Sequence, residues 1–241
     1  METIARDIQV GDHLAVVARP TGPGPWPGVV MVHELWGLDD VLRRQADRLA
    51  SAGYVVMAPD LFGEGSKLRC MISTFKALRV RSGLPFDLIA RCREELRTDP
   101  QVDGHVGVIG FCMGGGFALL VSADGFDASA VNYGVIPEDV DDVLRGSCPL
   151  VGSYGGRDKQ LAREVPRLEA ALTGLGVPHD VKVYPSAGHS FLNDQENGPR
   201  LARPLLKLAG VGPDPGAAAD AWRRIEEFFD LHLRDGQPRS D

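Results

Sequence analysis

His105-Val-Gly-Val-Ile-Gly-Phe-Cys-Met-Gly-Gly-Gly-Phe-Ala-Leu-Leu120 decides how the rest of the chain is read. Val106 to Ile109 is a short β-branched run flanked by glycines, the pattern of a strand buried on both faces. Phe117 to Val121 is an apolar run suited to a buried helix. Between them, Gly110-Phe111-Cys112-Met113-Gly114 has the spacing of the G-x-S-x-G nucleophile elbow, with cysteine in the nucleophile position. A strand that turns into a helix at a single residue needs that residue strained and its side chain exposed above the sheet. Glycines on either side remove the Cβ atoms that would block so sharp a turn. The helix start then aims free N–H groups at the sulfur and at any oxyanion formed beside it. The bland alternative is a small buried thiol in a glycine-rich strand–helix turn.

The chain has 241 residues, enough for one large α/β domain over 1–241. Its 44% hydrophobic and 24% charged content is ordinary for a globular protein. A net charge of −7 argues against a nucleic-acid surface while leaving room for a local basic pocket. No apolar run is long enough to span a membrane, and Met1 is followed by Glu2 rather than an apolar signal segment. Cys70, Cys92, Cys112 and Cys148 show neither C-x-x-C nor zinc spacing. The expectation is a cytoplasmic monomer or homodimer that acts on a small molecule. No metal, organic cofactor, nucleic acid or membrane partner is expected.

Taken in order, residues 1–20 alternate weakly and predict an antiparallel edge strand. Thr21 to Pro27 reads as a turn, and Gly28 to Val32 as a buried strand running into His33-Glu34-Leu35-Trp36-Gly37. Asp39 and Asp40 open a helix over Val41 to Ala50 as N-cap and first-turn acid. Tyr54 to Ala58 is a third strand. Residues 61–85 have no clean period and are basic, which suggests a lid region with a short helix around Met71 to Val80. Phe86 to Arg97 reads as helix. Strands follow at Ala128–Tyr133, Leu150–Tyr154 and Val181–Tyr184. A helix over Leu161–Leu175 carries Pro166 as an irregularity. Residues 194–216 form a Gly- and Pro-rich excursion with a short helix over Leu201–Leu208. Ala217 to Leu233 closes the fold, and 235–241 reads as a frayed tail. Strands alternating with helices imply a mostly parallel sheet with helices on both faces.

In such a sheet, reactive groups collect in loops at the carboxyl ends of the strands. Glu34, Cys112, Asp158 and His189 each stand just past a predicted strand. Nucleophile, acid and histidine in that chain order match an α/β-hydrolase triad. Cys112 would attack as thiolate, His189 would carry the proton, and Asp158 would orient the imidazole. Taken singly, Asp158 is more often a helix cap or turn residue, and His189 as readily a solvated loop residue. The N–H groups of Leu35 and Met113 are, by position, the candidate oxyanion hole, and Trp36 stands beside it. Glu34 has two readings: a cap for the helix near Asp39, or a carboxylate that keeps the thiol neutral or accepts its proton.

His33-Glu34-Leu-Trp-Gly37, Pro59-Asp60-Leu-Phe-Gly63, Gly110-Phe-Cys-Met-Gly-Gly115, Gly156-Arg-Asp158 and Gly188-His-Ser-Phe191 together resemble the dienelactone hydrolase (carboxymethylenebutenolidase) family, from about residue 8 to 234. The resemblance implies an α/β-hydrolase fold, a Cys112–His189–Asp158 triad, and a Glu34 that holds the resting thiol and helps activate it when substrate binds. It also implies hydrolysis of an enol lactone, dienelactone, in known members. Those members place an arginine four residues after the catalytic histidine to hold the substrate carboxylate; here that position is Asn193. Arg69 is the nearest match to a second such arginine and Arg81 another option, though a solvated cationic face is the slightly better reading of each.

A thiol, with a reference pKa of about 8.5, is a far better leaving group than an alkyl alcohol. A tetrahedral intermediate on Cys112 therefore reverts unless the other leaving group is comparably stable. Enol lactones, aryl esters and thioesters meet that condition. Amides and simple alkyl esters meet it poorly.

Overall fold

The structure, a computed structural model, describes residues 1–63 and 67–234. Residues 64–66 of the expected lid region, and the tail at 235–241, lie outside the described residues. Along the chain come β1 (Thr3–Val10), β2 (His13–Pro20), β3 (Trp26–Val32), α1 (Asp40–Ser51) and β4 (Val55–Pro59). They are followed by α2 (Lys67–Val80), α3 (Leu84–Thr98), β5 (Val102–Phe111), α4 (Met113–Leu120), β6 (Ala128–Asn132) and α5 (Val140–Val143). The remainder is β7 (Leu150–Gly155), α6 (Lys159–Gly174), β8 (His179–Tyr184), α7 (Arg203–Leu208) and α8 (Pro215–Leu233). One sheet takes the order β1-β2-β4-β3-β5-β6-β7-β8. β1 and β2 pair antiparallel, as do β2 and β4, while β3 to β8 all run parallel.

The register shows which helix covers which face. Gly28 pairs with Val106 and Val29 with Gly107. Paired residues of parallel neighbours point the same way, and successive residues point to opposite faces. A Cβ on Gly28 would meet Leu96 of α3, and one on Gly107 would meet Leu233 and Phe229 of α8. So α3 and α8 lie on opposite sides of the sheet. Arg48 of α1 reaches Glu226 of α8 at 2.7 Å, and Phe86 of α3 stacks edge-on against Phe117 of α4 with centroids 5.1 Å apart. With both faces covered, every residue of β4, β6 and β7 is buried.

Several boundaries differ from the expected ones. Residues 1–20 form a two-stranded hairpin rather than one strand, because Gly11 turns at φ +60° in front of Asp12. β5 starts at Val102, ahead of Val106. Trp26 pairs with Val102 and Gly28 with Val106, so the extra β5 residues, Gly104 at φ +99° among them, form an irregularity that no alternation marks. α4 begins at Met113 rather than Phe117, its first turn hidden by three glycines of poor helix propensity. Pro166 lies within α6 without ending it, since Leu161, Val165, Leu168 and Leu172 anchor the apolar face on either side. α5 was not anticipated, being too short to show a period.

The switch in strand order falls at β3, whose neighbours β4 and β5 lead the chain in opposite directions. A crevice at such a point is where open α/β sheets bind ligands. Val32 pairs with Gly110, and Phe111 with Asn132. Continuing each strand by a residue or two brings Glu34, Cys112 and Tyr133 level at one rim of the sheet.

Candidate active site

Cys112 has φ +56° and ψ −115°, the strained conformation expected of an elbow residue, and it is the N-cap of α4. Its N–H donates to the Asn132 carbonyl at 3.0 Å, and its own carbonyl accepts from Gly116 N–H at 3.1 Å. The glycines around it are there because backbone passes through the space a side chain would need. A Cβ on Gly114 would lie 2.2 Å from the Val32 carbonyl oxygen, and one on Gly110 would lie 1.9 Å from that of Gly114. The sulfur-bearing side chain is half-buried, whereas Cys92 and Cys148 are buried in the core.

His189 comes from the loop after β8. Its Nδ1 donates to Asp158 Oδ2 at 2.7 Å. Asp158 Oδ1 accepts from Leu161 N–H at 3.4 Å, so one carboxylate both caps α6 and orients the imidazole. The cap and acid readings of Asp158 are compatible. Hydrogen bonding to His189 holds the Asp158 carboxyl below the usual range, against its partial burial. Burial pulls the His189 imidazole down, but hydrogen bonds with Asp158 and Cys112, and the charges of Cys112 and Glu34, outweigh it and leave the ring at about 10. Behind the loop, Gly212 N–H donates to the His189 carbonyl at 2.9 Å, and Trp222 Nε1 of α8 donates to the Leu192 carbonyl at 3.3 Å.

His33 opens the His33–Gly37 stretch quoted above, and the structure gives it a definite task. It is fully buried, and burial lowers its pKa, so the ring is neutral. Nε2 accepts from Leu61 N–H at 3.0 Å, which leaves the proton on Nδ1 to bond the Glu34 carbonyl at 2.6 Å. A trans peptide points its C=O and N–H in opposite directions. Fixing the Glu34 carbonyl on His33 therefore fixes the Leu35 N–H facing away from His33. Among the described residues the Leu35 N–H donates to no backbone carbonyl. Together with Met113 N–H at the start of α4, it forms the pair that the sequence offers as an oxyanion hole. Replacing His33 by alanine should strand two buried backbone groups at about 1–3 kcal/mol each. It should also lower kcat roughly tenfold or more with little change in KM, since only the transition state uses the donor. An unchanged kcat beside a lowered Tm would make His33 purely structural.

Glu34 is 6% exposed. It does not cap α1; Asp39 does, accepting from Leu42 N–H at 2.9 Å. Glu34 Oε2 instead accepts from Asn193 Nδ2 at 3.2 Å and Asn197 Nδ2 at 2.8 Å. Gln45 Nε2 donates to Asn193 Oδ1 at 3.0 Å, which fixes the orientation of that amide. Tyr133, at φ +41°, lies with its ring 5.1 Å from that of His189. Burial, then the charge of Glu34, raises its phenol well above the ordinary value, so it remains a neutral hydroxyl. That hydroxyl and Glu34 Oε1 are both buried without a partner at hydrogen-bonding geometry.

The structure thus brings Cys112, His189, Asp158, Glu34, Leu35, Met113 and Asn193 to one rim. It does not bring Arg81 there. Arg81 is committed to Asp139 through two hydrogen bonds and borders a separate groove with Phe75, Gly116 and Val135. Arg69 is exposed on α2, which contributes Met71, and not Arg69, to the wall of the cavity next to Trp36. That cavity, about 560 Å³, is lined by Leu35, Trp36, Val41, Phe62 and Met71 among others, and neither Cys112 nor His189 is in its wall. Gly198 packs so tightly on Trp36 that a Cβ would fall 2.6 Å from the indole.

Tyr133, His33, Gln45 and Asn197 were not singled out from the sequence. Tyr133 follows a predicted strand just as Cys112, Asp158 and His189 do, and that position was its signal. Gln45 interrupts the apolar stripe of α1 formed by Val41, Leu42, Ala46 and Leu49.

Residues 14–233 match the sequence model described as the Dienelactone hydrolase family. A protein of Escherichia coli (strain K12), provisionally named a carboxymethylenebutenolidase, is 30% identical over 239 residues, covering 91% of this chain and 83% of its own. The carboxymethylenebutenolidase of Rhodococcus opacus is 27% identical over 224 residues, covering 86% and 82%. Among solved structures, the dienelactone hydrolase-like promiscuous phosphotriesterase P91 from metagenomic libraries superposes with a TM-score of 0.77 at 24% identity, covering 96% of this chain and 99% of that one.

Proposed function

The chain belongs to the dienelactone hydrolase family, and on that premise we propose that it hydrolyses activated carboxylic esters or enol lactones, with Cys112 as nucleophile and a thioester acyl-enzyme as intermediate. The observation that carries this reading is the 2.7 Å bond from Asp158 to His189, at the rim where Cys112 sits in its strained turn.

The Cys112 thiolate attacks the acyl carbon, and the carbonyl electron pair moves onto oxygen between the N–H groups of Leu35 and Met113. As the intermediate collapses, the C–O bond to the leaving group breaks. The imidazolium of His189 gives that oxygen its proton. Neutral His189 then takes a proton from water, the hydroxide attacks the thioester, and the C–S bond breaks to release the acid and restore the thiolate. Asp158 keeps Nδ1 protonated throughout, so that Nε2 is always the atom facing the sulfur. The thiolate leaving-group argument favours enol lactones, aryl esters and thioesters over amides.

The test is a rapid-mixing experiment with a 4-nitrophenyl ester. A burst of about one equivalent of nitrophenol, with an acyl mass added at Cys112, is expected. An acyl group on another residue, or preferred cleavage of amides, would overturn the reading. Steady turnover without any enzyme-bound acyl group would point to direct attack by water.

A further inference from the structure

The described charges around Cys112 are unbalanced. Glu34 is buried and held by two neutral amides, Asn193 and Asn197, with no cation among its hydrogen-bond partners. Asn193 is in turn held by Gln45, so its amide cannot swing away freely from the carboxylate. Asp158 adds a second carboxylate, offset by His189. Further out, the cavity that continues past Leu35 carries Asp39, Asp40 and Glu196 in its wall against Arg44 and Arg203. Arg44 is paired with Asp194 at 2.5 and 2.8 Å, and Glu196 with Lys207 at 3.7 Å. Arg203 donates to the neutral Gly198 carbonyl at 3.1 Å and keeps its charge, which Asp39 and Asp40 together outnumber. The field of Glu34 reaches this wall, where it adds to burial in raising the Asp39 carboxyl. The rest of the wall is mostly apolar, with Leu35, Trp36, Val41, Phe62, Met71 and Pro199 beside the amides of Gln195 and Asn197.

We infer that this site selects esters whose bound portion is uncharged and apolar, and that the buried Glu34, held by Asn193 and Asn197, repels substrates carrying a free carboxylate. This deepens the esterase reading and rests on it. A substrate whose carbonyl oxygen sits at the Leu35 N–H places its neighbouring atoms beside Glu34 and the Trp36 wall. A carboxylate there would meet the buried charge of Glu34, none of whose hydrogen-bond partners is a cation. An aryl or short alkyl group would be covered by apolar walls instead.

Two paired measurements test the inference. The first compares 4-nitrophenyl butyrate with mono-4-nitrophenyl succinate, which share a leaving group and nearly a chain length. The neutral ester should have a kcat/KM at least about tenfold higher, as expected for like charges held close in a low dielectric. Glu34→Gln should narrow that ratio even as it lowers both rates, since any shared catalytic loss cancels. The second measures alkylation of Cys112 by neutral iodoacetamide and anionic iodoacetate, each normalised to 2-mercaptoethanol. Iodoacetamide should be favoured, and Glu34→Gln should remove the preference. Equal or better use of the succinate ester, or faster alkylation by iodoacetate, would overturn the inference. So would a charge ratio that Glu34→Gln leaves in place. The alkylation arm needs no turnover. A protein that hydrolyses neither ester yet keeps the alkylation preference would sink the esterase reading and leave only the repulsion by Glu34 standing. Hydrolysis without charge preference would do the reverse.

Discussion

Replacing Cys112 by alanine should lower kcat/KM for an aryl ester by roughly ten-thousandfold or more and leave the fold intact. The size follows from what is lost. Without sulfur the covalent route is gone, and water must attack an acyl group that only the oxyanion donors and the pocket still hold. The fold survives because the elbow is set by backbone and glycines. The N–H of residue 112 still reaches the Asn132 carbonyl, and the Gly110 and Gly114 contacts do not involve the thiol. Alanine at φ +56° is strained, as cysteine already is. The same sulfur should be the fastest of the four to react with iodoacetamide. Burial pushes the thiols of Cys92 and Cys148 up to about 12, which keeps them protonated and inert, and among the described residues no hydrogen bond joins Cys70 to a histidine. Mass spectrometry of partly alkylated protein checks this directly. Activity that survives full modification of Cys112, or the alanine substitution, would remove the residue from the mechanism.

That Cys112, Asp158 and His189 would share one rim could be read from the sequence because each follows a strand whose apolar run is unambiguous, and because one rule places all strand ends at one rim. The elbow was plain for a related reason: Gly110 and Gly114 stand where backbone would meet any side chain. The supporting residues were harder. Gln45 and Asn193 act by bonding to each other and then to Glu34, and they are 148 residues apart. No local period encodes such a contact. Asn197 lies in a segment whose glycines and prolines mask its role. His33 was visible as a residue but not as an orienting group, since its effect passes through a peptide plane rather than its own side chain. The arginines failed in the other direction. Arg81 looked available for a substrate in a basic stretch of sequence, but its partner Asp139 comes from beyond β6, 58 residues away. Formal charge in a sequence says nothing of which charges are already paired.

Asp158→Asn should cost about as much activity as losing the nucleophile, roughly ten-thousandfold in kcat, yet leave the protein folded. The two effects separate because the carboxylate has two tasks on two oxygens. Asparagine caps a helix as well as aspartate, so the bond from Leu161 N–H to residue 158 can persist. What asparagine cannot do is oblige Nδ1 of His189 to carry the proton. An amide nitrogen can donate to Nδ1 and drive the proton to Nε2, where it faces the sulfur and blocks the ring from accepting one. The pH dependence should change with it. In the native protein the pairing with Asp158 and Cys112 outweighs burial and holds the imidazole at about 10, above its ordinary value of about 6.5. A group raised on folding contributes stability that is complete below the unfolded value and disappears as pH rises through the folded one. The native protein should therefore lose stability between about pH 6.5 and 10 on account of His189, as the imidazolium gives up its proton. In Asp158→Asn the largest raising partner is gone while burial remains, so the alkaline limb of the rate profile should move to lower pH and the alkaline loss of Tm should shrink. A full rate profile and Tm series on both proteins between pH 6 and 11 would read these shifts. If the two alkaline limbs coincide, another acid holds the imidazole and the role of Asp158 ends at the helix cap.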